Sequence, residues 1–138
     1  MTTEWTLDLQ RLHDAARAMD AERWHERLLA SAASAAASAA ADSADGLALP
    51  GFPPEEVQRG TNGHPAEQTM RQAFRLYGHT TQAFADYGAA RPDNDTGARF
   101  LDFGTGWGRI WRYFLRDFAP DHMAAFDVNP TMAGFWAS

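Results

Sequence analysis

The chain has 138 residues, which is enough for one domain of ordinary size. Its formal net charge is −6, and this acidity argues against general nucleic-acid binding, which normally needs a basic surface. It contains no cysteine, so disulfides and thiolate metal sites are excluded, and no segment has the basic start and apolar core of a signal peptide. We therefore expect a cytoplasmic protein.

The first 46 residues are predicted to form one N-terminal helix followed by an Ala/Ser-rich tract. Along residues 5–29, apolar side chains recur at spacings of three and four, as one face of a helix requires. These side chains are Leu9, Leu12, Ala16 and Met19. Residues 30–45 offer almost no large side chain to bury, so the tract is either a frayed helical extension or a linker. It is too weakly apolar to span a membrane.

Residues 47–138 are predicted to form the remaining domain. Three prolines between residues 47 and 57 indicate an extended segment or a loop. A second helix is predicted from Pro65 to Gly88, because proline suits a first helical turn and glycine suits a helix end. An apolar stripe along this helix indicates its core-facing side. The stripe consists of Met70, Phe74, Tyr77, Thr81 and Phe84.

The segment after residue 98 alternates strand, helix and strand. Residues 99–103 and 122–128 are predicted to be short strands, and a helix over residues 107–118 connects them. Such short connections produce parallel strands, so the predicted fold class is α/β, with one βαβ unit preceded by N-terminal helices. One face of the connecting helix is apolar, and the opposite face, which we expect to be solvated, carries three arginines. These are Arg109, Arg112 and Arg116.

A glycine-rich turn joins the first strand to this connecting helix. Asp102, Gly104, Gly106 and Gly108 follow the pattern D-x-G-x-G-x-G. Glycines let the backbone turn tightly and approach a ligand closely, and the first N–H groups of a helix favour negative charge. Asp127 ends the next strand, where an acidic residue can accept hydrogen bonds from both ribose hydroxyls of an adenosine. The pattern therefore predicts a site for a nucleotide-like cofactor.

Two classes of cofactor fit this logic. A dinucleotide site requires G-x-G-x-x-G, but Arg109 occupies the third glycine position and Trp107 stands where a pyrophosphate needs clearance. S-adenosylmethionine has no pyrophosphate, and its α-amino group suits a carboxylate at the strand end, which is the place of Asp102. The spacing therefore favours S-adenosylmethionine. Trp107 itself is either a lid over the cofactor or a packed side chain.

These motifs resemble those of a known family. The stretch LDFGTGWGRIWRYFLRDFAPDHMAAFDVNPTM, residues 101–132, is similar to the first two motifs of class I S-adenosylmethionine-dependent methyltransferases. Residues 58–84 resemble the preceding segment in one branch of that superfamily, in which a Gly-(Ser/Thr)-x-Gly turn leads into a helix that covers the cofactor pocket. The resemblance implies that residues 47–138 are the N-terminal part of a Rossmann-like cofactor domain, truncated after its second strand.

The resemblance also implies roles for the matching positions. Asp102 would contact the methionine amino end, and residues 104–106 would lie against the methionine and the ribose. Asp127 would bind the ribose hydroxyls, with Val128 beside the adenine, and the turn before the second helix would close the pocket from the N-terminal side. The implied cofactor-binding residues are Thr61, Gly63, Asp102, Gly104, Thr105, Gly106, Gly108, Asp127 and Val128.

The implied chemistry is methyl transfer from a sulfonium to a nucleophile, which depends mainly on positioning the two reactants in line. The sequence identifies no catalytic residue and no metal ligand, and we expect the methyl acceptor to be a small molecule rather than a nucleic acid or a membrane component. The family's sheet has seven strands, and this chain supplies two. We therefore expect the chain to bind the cofactor weakly or not at all and to be inactive alone.

Two other functions stay open at this point. The chain is alternatively a non-enzymatic interaction module that retains the βαβ core and self-associates through the exposed edge of its sheet. The other alternative is an NAD(P)-binding Rossmann domain, against which the spacing of the glycines argues.

Overall fold

The computed structural model describes residues 4–35, 49, 52–87 and 97–133. In chain order the elements are α1 (Glu4–Arg17), α2 (Ala21–Ala35), α3 (Glu55–Asn62), α4 (Ala66–Asp86), β1 (Phe100–Phe103), α5 (Trp111–Phe114), a 3₁₀ turn (Pro120–His122), β2 (Met123–Phe126) and α6 (Pro130–Ala133). The structure combines helices with a parallel pair of strands, which is compatible with the predicted α/β class.

The N-terminal region contains two helices, so the prediction of a single helix over residues 5–29 is wrong. The chain leaves the helical conformation between α1 and α2, and α2 begins one residue after Asp20. The Asp20 carboxylate accepts a hydrogen bond from the Arg23 N–H at 2.8 Å, which satisfies one of the donors that a helix start leaves unpaired. α2 extends into the Ala/Ser tract as far as Ala35, and the rest of that tract lies outside the described residues.

A short helix, α3, occupies the end of the segment predicted to be extended or looped. It follows Pro54 and carries two glutamates in its first turn, where negative charge favours a helix start. The helix ends at Gly63, whose φ is 77° and whose N–H donates to the Arg59 carbonyl oxygen at 2.8 Å. A left-handed glycine is common at helix ends, so Gly63 has a structural role in this fold.

The helix predicted to begin near Pro65 is confirmed as α4, which starts at the next residue. Its apolar stripe is buried in the first half, where Met70 is 0% and Tyr77 is 2% exposed. Farther along, Phe84 is 37% exposed, so the stripe leaves the core there. The predicted end at Gly88 lies outside the described residues.

The two predicted strands are confirmed, and they pair in parallel with Phe100 opposite Met123. Alternate side chains of a strand point to opposite faces of the sheet. On the covered face, the Phe100 ring stacks on that of Phe114 with 4.4 Å between centroids. The opposite face, which we call the outer face, is exposed to solvent. It consists of Leu101, Phe103, Ala124 and Phe126.

The connection between the strands is less helical than predicted. α5 covers only Trp111–Phe114, so the prediction of a helix over residues 107–118 is wrong at both ends. Gly108 has a φ of 83°, which lies outside the helical region. The helix therefore cannot include Gly108 and begins at a later residue. After α5, some hydrogen bonds join residues three apart and form tighter turns, as from the Asp117 N–H to the Phe114 carbonyl oxygen at 2.9 Å.

The arginine-bearing side of this connection is not a solvated face, which corrects that prediction. Arg112 is 2% exposed, and its guanidinium lies over the Phe52 ring at 4.6 Å from the centroid. Burial lowers the pKa of Arg112 to about 10. Arg116 donates a hydrogen bond to the Met19 carbonyl oxygen at 2.9 Å. The side is buried because the N-terminal helices and the segment before α3 pack against it.

One hydrophobic cluster contains buried residues from both sides of the predicted domain boundary after residue 46. Its buried members are Leu12, Ala16, Trp24, Leu28, Met70, Ala73, Tyr77, Trp107, Tyr113, Phe114, Leu115 and Phe118. The division into two domains stays a prediction, but α1 and α2 share this core with the βαβ unit. Within the described part of the chain, no helix combines the length and the apolar character that crossing a membrane requires.

Candidate functional site

The glycine turn lies at the carboxyl end of β1 and is attached to the end of β2. The N–H groups of Gly104 and Thr105 both donate to the Phe126 carbonyl oxygen, at 2.8 and 3.1 Å. Within the turn, the Gly108 N–H donates to the Thr105 carbonyl oxygen at 3.0 Å. The turn therefore sits where the carboxyl ends of two parallel strands meet, which is the place where open α/β sheets bind their ligands.

The three glycines of the turn all have left-handed backbone conformations. Their φ angles are 76° at Gly104, 55° at Gly106 and 83° at Gly108. An L side chain is strained at such angles, so the backbone itself requires glycine here. An added Cβ at Gly104 would meet no atom within 4 Å, so the space beside this residue is open. The predicted glycine turn is thus explained by backbone conformation, with room for a ligand at its first glycine.

Asp102 is half-buried at the end of β1. Its Oδ2 accepts a hydrogen bond from the hydroxyl of the buried Thr105 at 2.8 Å, which orients the carboxylate. Burial raises the pKa of the Asp102 carboxyl, against the lowering effects of the Thr105 hydrogen bond and the Arg109 charge. The neighbouring Asp127 raises the same pKa further, so the two carboxylates at the strand ends interact.

Asp127 directly follows β2 and holds the glycine turn in place. Its Oδ2 accepts a hydrogen bond from the Gly106 N–H at 2.7 Å, and its Oδ1 accepts one from the Asn129 N–H at 2.8 Å. A carboxylate can accept about four hydrogen bonds, so these two leave capacity for further donors. The sequence suggested a ligand-binding role for Asp127, and the structure adds that it links the turn to the second strand.

α3 forms a wall beside the glycine turn. An added Cβ at Gly106 would lie 3.8 Å from the Thr61 methyl carbon, so Thr61 lies against the turn. Gly63 follows the last residue of this helix. The roles that the resemblance implies for both residues stay predictions. Val128 directly follows Asp127 and is 83% exposed, which leaves its side chain accessible.

Trp107 is a packed side chain rather than a lid. It is 1% exposed, and its ring lies 5.3 Å from that of Phe52 between centroids. Its indole Nε1 is buried without a hydrogen-bond partner among the described residues. Gln58 Oε1 and Asn62 Nδ2, both on α3, are likewise buried and unpartnered in the described part of the chain. The elements that flank the turn therefore contain polar atoms not used by the fold.

The prediction that the side chain of Arg109 is solvated is wrong. The helical pattern placed it on a solvated face, but it is half-buried directly after the third glycine. Burial lowers the pKa of Arg109, while the charge of Asp102 raises it. The position immediately after the glycine pattern, rather than the helical periodicity, was the signal that could have identified it.

The anion-binding helix start expected after the glycines is not supported. α5 begins only at Trp111 and has four residues, so few backbone dipoles are aligned there. Histidine, aspartate and glutamate side chains of the described residues do not form groups of three that could hold a metal ion.

Comparisons with known proteins identify no relative of this chain. No family model, no curated protein and no solved structure matches the chain.

Proposed function

We propose that the glycine turn is the cofactor site of a class I S-adenosylmethionine-dependent methyltransferase. The observation that supports this most is the position of Asp102 and Asp127 near the carboxyl ends of adjacent parallel strands, with three left-handed glycines in the turn that follows the first strand. One carboxylate suits the α-ammonium group of the ligand, and the other suits ribose hydroxyls. A Rossmann-like fold, of which β1, α5 and β2 form the first unit, belongs to the same proposal.

The chemistry of the site fits this cofactor better than a dinucleotide. Two interacting carboxylates would repel a pyrophosphate, and the short α5 offers it little compensation. The open space at Gly104 and the exposed side chain of Val128 leave both positions accessible to a ligand.

S-adenosylmethionine supplies an electrophilic methyl group on a sulfonium. The residues of this chain would bind and orient it: Asp102, which the Thr105 hydroxyl orients, would hold the amino acid end, and Asp127 would hold the ribose. Because methyl transfer depends on in-line positioning, these contacts contribute by fixing the direction of the sulfonium. The proposed acceptor is a small molecule, since the chain is acidic.

The first prediction concerns binding of S-adenosylhomocysteine, the product form of the cofactor, by the full chain. Of weak binding and no binding, we expect weak binding, because the glycine turn and both carboxylates are held by hydrogen bonds within the described residues. Titration followed by amide chemical shifts should show saturable changes centred on residues 104–108, with a dissociation constant on the order of 1 mM. Asp127→Asn should weaken binding about 10-fold, since it removes a charge from hydrogen bonds to the ribose.

The matched control is Asp121→Asn, which changes an exposed aspartate in the 3₁₀ turn and should leave binding unchanged. A parallel titration with NAD⁺ should produce no saturable shifts at the turn. Binding of NAD⁺ in preference to S-adenosylhomocysteine, or absence of any response at the turn at millimolar ligand, would refute the proposal.

The outer face favours a second candidate, the non-enzymatic interaction module. Leu101 and Phe103 are 62% and 75% exposed, and the outward positions of both strands are uncharged. Contiguous apolar patches of this kind are common at protein–protein contacts. The occupant that we propose for this candidate is a second copy of the chain, because an uncharged face lets two acidic chains meet without bringing like charges together. Sedimentation velocity distinguishes this candidate from a monomeric protein.

A further inference from the structure

Arg109 is a charged side chain that directly follows the last glycine of the turn. It is half-buried, and its guanidinium donates no hydrogen bond to any residue of the described ranges. Its neighbours on the connection are used by the fold, as Arg112 is packed on aromatic rings and Arg116 bonds to the Met19 carbonyl oxygen. A partly desolvated guanidinium that makes no hydrogen bond within the described residues is suited to a carboxylate or a phosphate.

Asp102, which precedes the turn, is a negative charge that acts on Arg109. The two side chains interact electrostatically, yet they do not form a direct ion pair within the described part of the chain. Thr105 holds the Asp102 carboxylate through Oδ2, which keeps that group in place rather than letting it swing toward Arg109. The Asp102 carboxylate and the Arg109 guanidinium are therefore two groups of opposite charge at the same turn, and within the described residues neither forms a direct ion pair with the other.

We propose that Asp102 and Arg109 together bind the zwitterionic α-amino acid end of the ligand. Asp102 accepts hydrogen bonds from the α-ammonium group, and Arg109 donates to the α-carboxylate. This inference rests on the proposed function, and it adds a residue that selects ligands carrying an amino acid group.

A zwitterion fits this arrangement better than a phosphate does. A phosphate placed at Arg109 would also experience the charge of Asp102, which would repel it. A zwitterion instead presents one charge of each sign to groups of the opposite sign. The guanidinium also offers two parallel N–H donors, which match the two oxygens of a carboxylate.

The experiment compares two ligands that differ in the amino acid end. S-adenosylhomocysteine carries the α-amino acid, whereas 5′-methylthioadenosine retains the adenosine and the sulfur and lacks it. The full chain and its Arg109→Gln variant are titrated with each ligand and followed by amide chemical shifts. We expect Arg109→Gln to weaken S-adenosylhomocysteine binding about 10-fold and to leave 5′-methylthioadenosine binding unchanged.

Two further variants control for charge and for general effects. Arg109→Lys keeps the charge without the fork of donors, so it should recover part of the lost affinity. Arg75→Gln removes an exposed arginine of α4 and should change neither affinity. Thermal unfolding of each variant identifies any loss of folded protein before affinities are compared.

The outcomes separate this inference from the function on which it rests. Normal S-adenosylhomocysteine binding by Arg109→Gln, or an equal loss for both ligands, would overturn the role of Arg109 and leave the cofactor site standing. Failure of the unmodified chain to bind either ligand would overturn both proposals.

Discussion

At the scale of single residues, the glycine turn depends on backbone conformation more than on space. Gly104 and Gly108 have φ angles of 76° and 83°, and an added Cβ at Gly104 would meet no atom within 4 Å. The motif could be recognised from the sequence because the requirement is local. Only the structure identified Asp127 as the group that ties Gly106 to the second strand.

Replacing glycine by alanine is predicted to have opposite effects on the free energy of unfolding at Gly104 and at Gly78. Gly104→Ala should lower the free energy of unfolding by about 1–2 kcal/mol, because an L side chain is strained at this φ. Gly78→Ala, in the interior of α4, should raise it by about 1 kcal/mol, because alanine favours a helix. Urea unfolding of both variants checks this. Equal effects of the two substitutions would show that the left-handed turn does not require glycine.

At the scale of elements, the N-terminal helices bind the irregular connection between the strands. The Trp24 Nε1–H donates to the Arg112 carbonyl oxygen at 3.1 Å, and the His13 Nδ1–H donates to the Leu115 carbonyl oxygen at 2.6 Å. These side chains satisfy carbonyl groups that a short helix leaves unpaired at its end. The connection is stable in this form because α1 and α2 supply partners that the local sequence lacks.

A buried histidine makes the docking of α2 dependent on pH. The His25 ring stacks on Phe74 with 4.2 Å between centroids, and its Nδ1–H donates to the Tyr113 hydroxyl at 2.7 Å. That hydroxyl in turn donates to the Met70 carbonyl oxygen at 2.9 Å. Burial lowers the pKa of His25 below its ordinary value of 6.5, with a further lowering by Arg71 opposed by Glu26.

This network predicts lower stability in mildly acidic solution. Because the folded pKa of His25 is below the unfolded one, the unfolded state takes up the proton first as the pH falls. The contribution of His25 is therefore complete above pH 6.5 and is lost progressively as the pH falls from there toward the folded pKa. Free energies of unfolding measured in urea across this range should decrease in the original chain.

The control variants separate His25 from other titrating groups. His25→Phe should remove part of the decrease, whereas His79→Gln, which alters an exposed histidine of α4, should leave it intact. The same pH profile for the original chain and His25→Phe would contradict the assignment.

At the scale of the whole molecule, the sheet has two different faces. Phe100 packs against Phe114 and Phe118 on the covered face, with ring centroids 4.4 and 5.4 Å apart. On the outer face, Phe103 and Phe126 stack on each other at 5.3 Å, and they are 75% and 50% exposed. The described helices therefore bury one face of the strands and leave the other apolar and accessible.

The outer face predicts concentration-dependent self-association. If a second copy covers it, the weight-average mass from sedimentation should rise with concentration, and Phe103→Ser should reduce the rise. Tyr87→Ser, which changes an aromatic residue that is 89% exposed outside the sheet, should not. A monomer at every concentration would remove self-association from consideration and leave the cofactor proposal untouched.

The amino-acid sequence by itself determined the features that depend on neighbouring residues: the glycine turn, the two strands with their parallel pairing, and the start of α4. The predictions made from it were wrong where contacts between distant parts of the chain determine the structure. The arginine pattern indicated a solvated face, but Arg112 is buried because Phe52 and Trp107 pack on its guanidinium. The predicted long connecting helix is short because hydrogen bonds from α1 and α2 stabilise its early end. Tertiary packing also determined which face of the sheet is covered. The alternation of side chains along a strand defines two faces, but it does not show which of them packs against a helix.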